Sequence, residues 1–407
     1  MERKMVLAFA PLTEAQREQI SAKAAKKGFR AVFCKDAGEA LAEAKDAEIV
    51  MSLDKRLAKA GPYLRWFCTP SAGVDHVLSE LEGTDILLSN SSGAYGVTIA
   101  EHIVLTALEV MRNRPEYIRL KEERVWKQNL PVRSLYEATV TFLGTGDIGQ
   151  EAARRIRAFG PKCLIGVNRH GSNPGQLFDR IVPLSGLERV LKKTDLLIMS
   201  LPSTKETRGI LSAERLNMLP EGAFIVNVGR GDAIDQKALE ELLRNGTLGG
   251  AALDVFEKEP LPQDSTLWDC PRLILTTHVA GNWTLPLTVE KIVAMFLEDF
   301  ERYCKGLPLK RLVDRKAGYK QTEAIVRVRE MEEVFDRALA LLKREKKTAR
   351  AEKELAAAVN SLKAYYESPQ WREDFEADEA GRFPKDLKRG VLSEDGIYNL
   401  LDDYTTM

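Results

Sequence analysis

Val140-Thr141-Phe142-Leu143-Gly144-Thr145-Gly146-Asp147-Ile148-Gly149-Gln150 decides the fold of this chain. Its first four residues, β-branched and apolar, read as a buried strand, and Gln150–Phe159 reads as a helix. Between them lies a G-x-G-x-x-G turn, which in that setting marks the start of a dinucleotide-binding βαβ unit. Gly144 permits the tight turn, Gly146 lets the backbone approach a pyrophosphate, and Gly149 lets helix and strand pack closely. The amides at the helix start, at Asp147 and Ile148, offer partial positive charge to phosphate oxygens. A glycine turn without a ligand is the plain alternative. The strand before it and the helix after it argue against that.

The same rhythm extends in both directions. Downstream, Cys163–Val167, Leu196–Ser200, Phe224–Val228, Gly250–Phe256 and Leu273–Thr277 read as strands. Upstream, so do Met5–Phe9, Ala31–Phe33, Glu48–Ser52, Arg65–Thr69 and Ile86–Ser89, with helices over Glu14–Lys27 (Thr13 as N-cap) and Gly38–Lys45. Strands alternating with helices imply parallel sheets covered on both faces. A long helical pattern, Val97–Arg112, links the two blocks, and a charged, irregular stretch with Trp126 and Pro131 follows as a projecting arm. Leu287–Cys304 is a second long helix that returns the chain to the first lobe. The expected fold class is α/β, with two Rossmann-like, doubly wound parallel-sheet lobes plus an α-helical C-terminal extension.

After about Lys316 the texture changes. Residues 323–366 hold no glycine or proline and read as one long helix or a helical pair. Val326, Met331, Val334, Phe335, Ala338, Leu341 and Leu342 form an apolar stripe on it, to be covered by the final segment around Trp371 and Phe375 or by another subunit. The apolar residues from Trp371 to Tyr404 imply packed structure rather than a loose tail.

Composition narrows the function. The 60 basic and 60 acidic residues balance, which leaves no basic field to attract nucleic acid. The apolar run at the N-terminus is too short for a signal sequence, and none approaches the ~20 residues that span a bilayer. Five scattered cysteines show no metal-ligand spacing, and most read as small core residues in a reducing compartment. The expectation is a cytoplasmic protein with no membrane, nucleic-acid or metal partner.

The strand after the glycine loop bears on which dinucleotide binds. An NAD site usually places Asp or Glu about 20 residues on, to hold the adenine ribose. Here the strand ends in Asn168-Arg169-His170: no carboxylate to repel a 2′-phosphate and a cation to receive one. NADP(H) is therefore favoured over NAD(H), the alternative being a solvated Arg169.

Three further residues suggest the chemistry. A guanidinium (Arg230) can hold a substrate carboxylate in a two-pronged grip. An imidazole (His278) can protonate a keto oxygen as hydride arrives, and a carboxylate (Glu259) can orient that imidazole and favour its protonated form. The chain has only four histidines. His102, beside Glu101 on the crossover helix, reads as structural, and His76 follows a loop that could border a cleft.

With these residues in view, the chain resembles the D-isomer-specific 2-hydroxyacid dehydrogenases over residues 5 to about 315. The matching segments are Thr69–Asp75, Ile99–His102, Gly144–Gly149, Val226–Gly231, Ala252–Pro260 and Thr277–Gly281. The resemblance implies a substrate lobe of residues 1–95 with 286–316, a dinucleotide-binding lobe of 96–285, and an accessory helical domain of 317–407. It implies Arg230, Glu259 and His278 as the catalytic set, with Ala72, Gly73 and Val74 receiving the substrate carboxylate on their amides. On the cofactor side it implies Asp254 on the nicotinamide carboxamide, with Pro202, Thr207, Val228 and His278 also lining the site. It also implies a homodimer joined through the cofactor lobes, with the arm near Trp126 reaching the partner. The extension lies outside that family and is similar to small, uncharacterised bacterial helical proteins. The expected activity is reduction of a small 2-keto acid, such as glyoxylate or hydroxypyruvate, to the D-2-hydroxy acid. The rivals are a cofactor-binding regulatory or scaffold protein, which would need none of the three catalytic residues, and an NAD-dependent 3-phosphoglycerate-type dehydrogenase, which Asn168 disfavours.

Overall fold

The structure is a computed structural model that describes residues 3–9, 12–169, 171, 173, 176–315, 318–320, 323–343, 348–379, 383 and 387–405. It divides into two compact units, residues up to 86 with 90–295 and 315–319, and residues 87–89 with 296–314 and 320–407.

Two parallel sheets form the α/β part. The first contains β1 (Arg3–Ala8), β2 (Phe29–Phe33), β3 (Ile49–Ser52), β4 (Trp66–Cys68) and β5 (Leu87–Ser89) in the order β2-β1-β3-β4-β5. Its strands are apolar without alternation: Met5, Val6, Leu7, Ile49, Val50, Met51, Trp66 and Phe67 are all buried, as a sheet covered on both faces requires. Thr13 caps the helix Glu14–Ala25 as expected, accepting from Gln16 N while Gln16 Oε1 accepts from Thr13 N.

The second sheet contains β6 (Thr139–Leu143), β7 (Cys163–Asn168), β8 (Arg180–Pro183), β9 (Leu196–Met199), β10 (Phe224–Asn227), β11 (Gly250–Leu253) and β12 (Leu273–Leu275). Its order is β12-β11-β10-β9-β6-β7-β8, so the winding reverses between β6 and β9, where Val140 pairs with Leu196. Open sheets of this kind bind ligands outside the carboxyl ends of the strands at that switch point. The sequence did not point to β8. It is a four-residue edge strand flanked by Arg180 and Pro183, and an edge tolerates proline.

The crossover helix runs Gly96–Met111. The charged stretch after it begins with a helix, Arg114–Glu122, where irregular chain was expected. Arg119 bridges Glu116 and Glu123 on its solvated side, and Leu120 is buried on the other. Trp126, beyond that helix, is 91% exposed. A long helix, Pro286–Cys304, follows the second sheet.

In the second unit the extension forms the helices Glu323–Leu342, Ala349–Tyr366, Pro369–Glu379 and Glu394–Thr405. The stretch read as one helix or a pair is therefore a pair, and Thr348 caps its second member. Phe335, Ala338 and Leu341 from the apolar stripe pack with Leu355, Val359, Leu362, Trp371, Val391, Ile397 and Leu400. The helix Ala349–Tyr366 covers most of the stripe, with the segment from Val391 to Leu400 closing the rest, rather than the stretch around Trp371 and Phe375 alone. Buried Asp374 is matched by two bonds from Arg327 and one from the Tyr365 hydroxyl, which satisfies a charge that would otherwise be costly to bury.

Candidate active site

The glycine loop leaves β6 with Gly144 at φ +109°, a conformation that L side chains rarely adopt. A Cβ on Gly149 would lie 2.2 Å from the Gly144 carbonyl oxygen, whereas one on Gly146 would meet nothing within 4 Å. The two positions separate the roles: Gly149 is needed for packing, and Gly146 faces open space into which a phosphate fits. The helix Asp147–Ile156 starts there with no side-chain cap on its first amides, so the residues present suit a pyrophosphate.

At the end of β7, Asn168 Nδ2 donates to Thr145 Oγ1 at 2.8 Å and Asn168 Oδ1 accepts from Gly171 N at 2.6 Å. Asn168 thus braces the glycine loop against the following turn. Arg169 is partly exposed and lies 3.4 Å from Glu206 Oε2. His170, the third residue of the expected cofactor set here, lies outside the described residues. The Thr207 hydroxyl donates to Pro202 O at 2.6 Å and accepts from Thr204 N, closing the turn after β9. Val228 is buried at the end of β10.

Arg230 follows Val228, and close packing fixes its backbone. Asn227 accepts from Gly229 N and donates to Arg230 O, at 3.0 and 2.9 Å. A Cβ on Gly229 would lie 2.7 Å from Leu201 N, and one on Gly231 only 1.9 Å from the Phe256 carbonyl carbon. The guanidinium therefore projects from a rigid turn. Its Nη1 donates to Gly229 O at 2.7 Å and its Nη2 to Asp75 Oδ1 at 2.7 Å. Nη2 also lies 1.6 Å from where a Cβ on Gly73 would stand, so only glycine fits there. Burial pushes the Asp75 carboxyl up, but Arg230 more than reverses this and holds it below the usual carboxylate range.

The loop carrying Gly73 is shaped by its carbonyls. Asn90 Nδ2 donates to Ala72 O and Ser71 Oγ to Gly73 O, at 2.6 and 2.7 Å. The amides of Ala72, Gly73 and Val74 donate to nothing among the described residues. Three available amides beside a guanidinium would suit a carboxylate. Asp75, which closes the matching segment Thr69–Asp75, carries no role that the sequence alone indicates. The signal that marks it is a carboxylate directly after a loop whose amides are available to an anion.

His278 Nδ1 and Glu259 Oε2 are 2.7 Å apart, and Glu259 Oε1 accepts from Phe256 N at 3.0 Å. His278 has φ +57°, an unusual conformation for an imidazole residue. Buried Asp254 holds it there. Its carbonyl accepts from His278 N, and its carboxylate accepts from Val279 N, Ala280 N and the Thr276 hydroxyl. His102 Nε2 reaches the same hydroxyl at 3.3 Å, and burial pushes its pKa down. That fits a supporting role. Burial also lowers the pKa of His76, whose buried Nε2 has no hydrogen-bond partner among the described residues.

The structure thus brings together Arg230 and the Ala72–Val74 loop, and separately Glu259, His278 and Asp254. Among the described residues no group of three His, Cys, Asp or Glu side chains is placed to hold a metal, and no helix is long and apolar enough to cross a membrane.

Comparisons with known proteins identify the family of the α/β part. Residues 104–280 match the NAD binding domain of the D-isomer specific 2-hydroxyacid dehydrogenases, and residues 328–407 match a domain of unknown function, DUF4298. The chain is 34% identical over 267 residues to glyoxylate/hydroxypyruvate reductase A of Salmonella newport, covering 64% of this chain and 83% of that one. A D-isomer specific 2-hydroxyacid dehydrogenase family protein of Aeromonas salmonicida superposes with a TM-score of 0.68 at 33% identity, over 77% of this chain and 100% of its own. The NADPH-dependent glyoxylate/hydroxypyruvate reductase of Sinorhizobium meliloti, solved with NADP and sulfate, gives 0.66 at 28%, over 78% and 100%. With two parallel-sheet lobes and a C-terminal helical domain, the chain belongs to the D-isomer-specific 2-hydroxyacid dehydrogenase family of NAD(P)-dependent oxidoreductases.

Proposed function

We propose that the chain is an NADP(H)-dependent reductase of a small 2-keto acid, of the glyoxylate or hydroxypyruvate kind, forming the D-2-hydroxy acid. The observation that carries the reading is the convergence of Arg230 with three available amides at Ala72–Val74, on the same compact unit as the His278–Glu259 pair. In this reading the amides and Arg230 hold the substrate carboxylate, and the guanidinium also polarises the keto oxygen. The reduced nicotinamide, when bound, supplies the hydride. His278 gives its proton to the oxygen as negative charge develops, and Glu259 fixes the ring and stabilises the imidazolium. Gly144, Gly146 and Gly149, with the amides of Asp147 and Ile148, take the pyrophosphate, and Pro202, Thr207 and Val228 flank it. Asp254 lies under His278, where one carboxylate oxygen can also accept from a carboxamide.

NADP(H) is favoured because Asn168 offers no charge to repel a 2′-phosphate, while Arg169 (with His170 beside it in sequence) can bind one. The S. meliloti relative solved with NADP supports the same choice. We assign residues 1–95 with 286–316 to the substrate lobe, 96–285 to the cofactor lobe and 317–407 to the accessory domain. A homodimer fits the exposure of Trp126 and Tyr136, at 91% and 68%. The test is NADPH and NADH oxidation with a panel of 2-keto acids. No turnover of any acid with either cofactor overturns the reductase reading, and equal kcat/KM for the two cofactors overturns the NADP(H) assignment.

A further inference from the structure

Trp283 follows His278 by five residues and ties three segments together. Its indole Nε1 donates to the Tyr95 hydroxyl at 2.6 Å, and that hydroxyl donates to Pro70 O at 2.5 Å. Its ring meets the Phe9 ring edge-on, with centroids 5.1 Å apart. The direction of the chain is set by chemistry: an indole N–H only donates, and burial pushes the Tyr95 phenol up to about 12, so it keeps its proton. A Cβ on Gly281 would lie 3.1 Å from the Tyr95 ring, so the segment from His278 to Trp283 runs closely over the tyrosine.

The position of this cluster matters more than its bonds. Phe9 follows the end of β1, Pro70 follows the end of β4 and leads into the Ala72–Val74 loop, and Trp283 lies beyond the end of β12. All three lie past carboxyl ends of parallel strands, where ligands of such sheets gather. Phe9 and Tyr95 are 6% and 5% exposed, whereas Trp283 is only partly buried. The face that the cluster offers to a ligand is therefore the indole, and its two clamps prevent it from swinging aside.

We propose that Trp283 is a specificity-determining residue that closes the side-chain end of the substrate crevice and restricts it to short 2-keto acids. The inference rests on the 2-keto acid reductase reading above. With its carboxylate on the amides of the Ala72–Val74 loop and its keto oxygen facing His278, a substrate has its remaining substituent to place. The indole, tied through the Tyr95 hydroxyl to Pro70 on one side and following His278 on the other, bounds that space.

The experiment compares kcat/KM, at saturating NADPH, for glyoxylate and hydroxypyruvate with that for 4-methyl-2-oxopentanoate and phenylpyruvate. In Trp283→Ala and Trp283→Leu the ratio of bulky to short substrates should rise on the order of 10- to 100-fold, the scale by which a hydrophobic pocket discriminates size. Trp283→Phe and Tyr95→Phe each break the hydrogen bond but keep a ring in place, and should leave the wild-type order of substrates. An unchanged ratio in a Trp283→Ala or Trp283→Leu protein that binds NADPH normally overturns the proposal. So does an equal rise in Trp283→Ala and Trp283→Phe, since the hydrogen bond rather than the bulk would then be at work. Wild-type protein inert toward all four acids would instead overturn the reductase reading.

Discussion

The guanidinium of Arg230 is held by the carboxylate of Asp75, with Nη2 and Nε reaching Oδ1 at 2.7 and 3.2 Å. The pair brings the cation against Gly73 and the available amides. Asp75→Asn should leave the fold intact and raise KM for the keto acid roughly 5- to 10-fold, since a charge-assisted bond exceeds a neutral one by about 1 kcal/mol. The change should fall on KM more than on kcat. A lowered KM would instead identify Asp75 as a competitor for the arginine.

His278→Ala should leave NADPH affinity nearly unchanged and reduce kcat by about 10²–10⁴-fold, the range for a lost general acid. Glu259→Gln should keep the hydrogen bond but not the charge, and reduce kcat less. Fluorescence titration of NADPH alongside steady-state rates separates binding from chemistry. Wild-type turnover by the His278 variant refutes the assignment.

Arg169 faces Glu206 across 3.4 Å, and both side chains are largely exposed. Exposed pairs of this kind contribute little, so a 2′-phosphate can take the place of Glu206. Arg169→Glu should erase or invert the proposed preference for NADPH, and Glu206→Gln should lower KM for NADPH without changing that for NADH. Cofactor kinetics on the two variants decide the matter.

Deleting the residues after Arg315 should leave a folded reductase with near-normal kcat. The glycine loop, Arg230, Glu259 and His278 all precede that point, and the core of the extension closes on itself between Ile325 and Leu400. The deletion does remove Glu330 from largely buried Arg302, which it meets at 2.8 Å. A Tm lower by several degrees is therefore expected from a cation left without its partner. Loss of activity in a truncated protein that stays folded would show that the chemistry depends on the extension.

Glu332 is 5% exposed and receives the Val391 amide at 2.6 Å; burial pushes its carboxyl pKa up. A carboxyl whose pKa is higher folded than unfolded binds its proton more tightly in the folded state. Its favourable contribution is complete below the unfolded value near 4.3 and is lost as pH rises through the folded one. Glu332→Gln, which keeps the acceptor and drops the charge, should flatten the decline in Tm as pH rises above about 4. An unchanged slope in thermal melts across that range would remove Glu332 as its source.

By itself the sequence determined the local pieces of this protein. Unbroken apolar runs such as Val140–Leu143 marked strands buried on both faces. Thr13 marked a helix start, and the glycine spacing after Leu143 marked a phosphate turn, because each depends on residues that are neighbours along the chain. Pieces with too few apolar residues to show a pattern were missed: the edge strand Arg180–Pro183, which packs Val182 inward, and the charged helix Arg114–Glu122, which buries only Leu120. Arg230, Glu259 and His278 could be picked out by residue type and by resemblance, but not their settings. Asp75 meets Arg230 across 155 residues, and Trp283 meets Tyr95 across 188. Only the tertiary structure decided those contacts, because they arise where loops from separate strands are packed side by side, and no periodicity along a single chain records that packing.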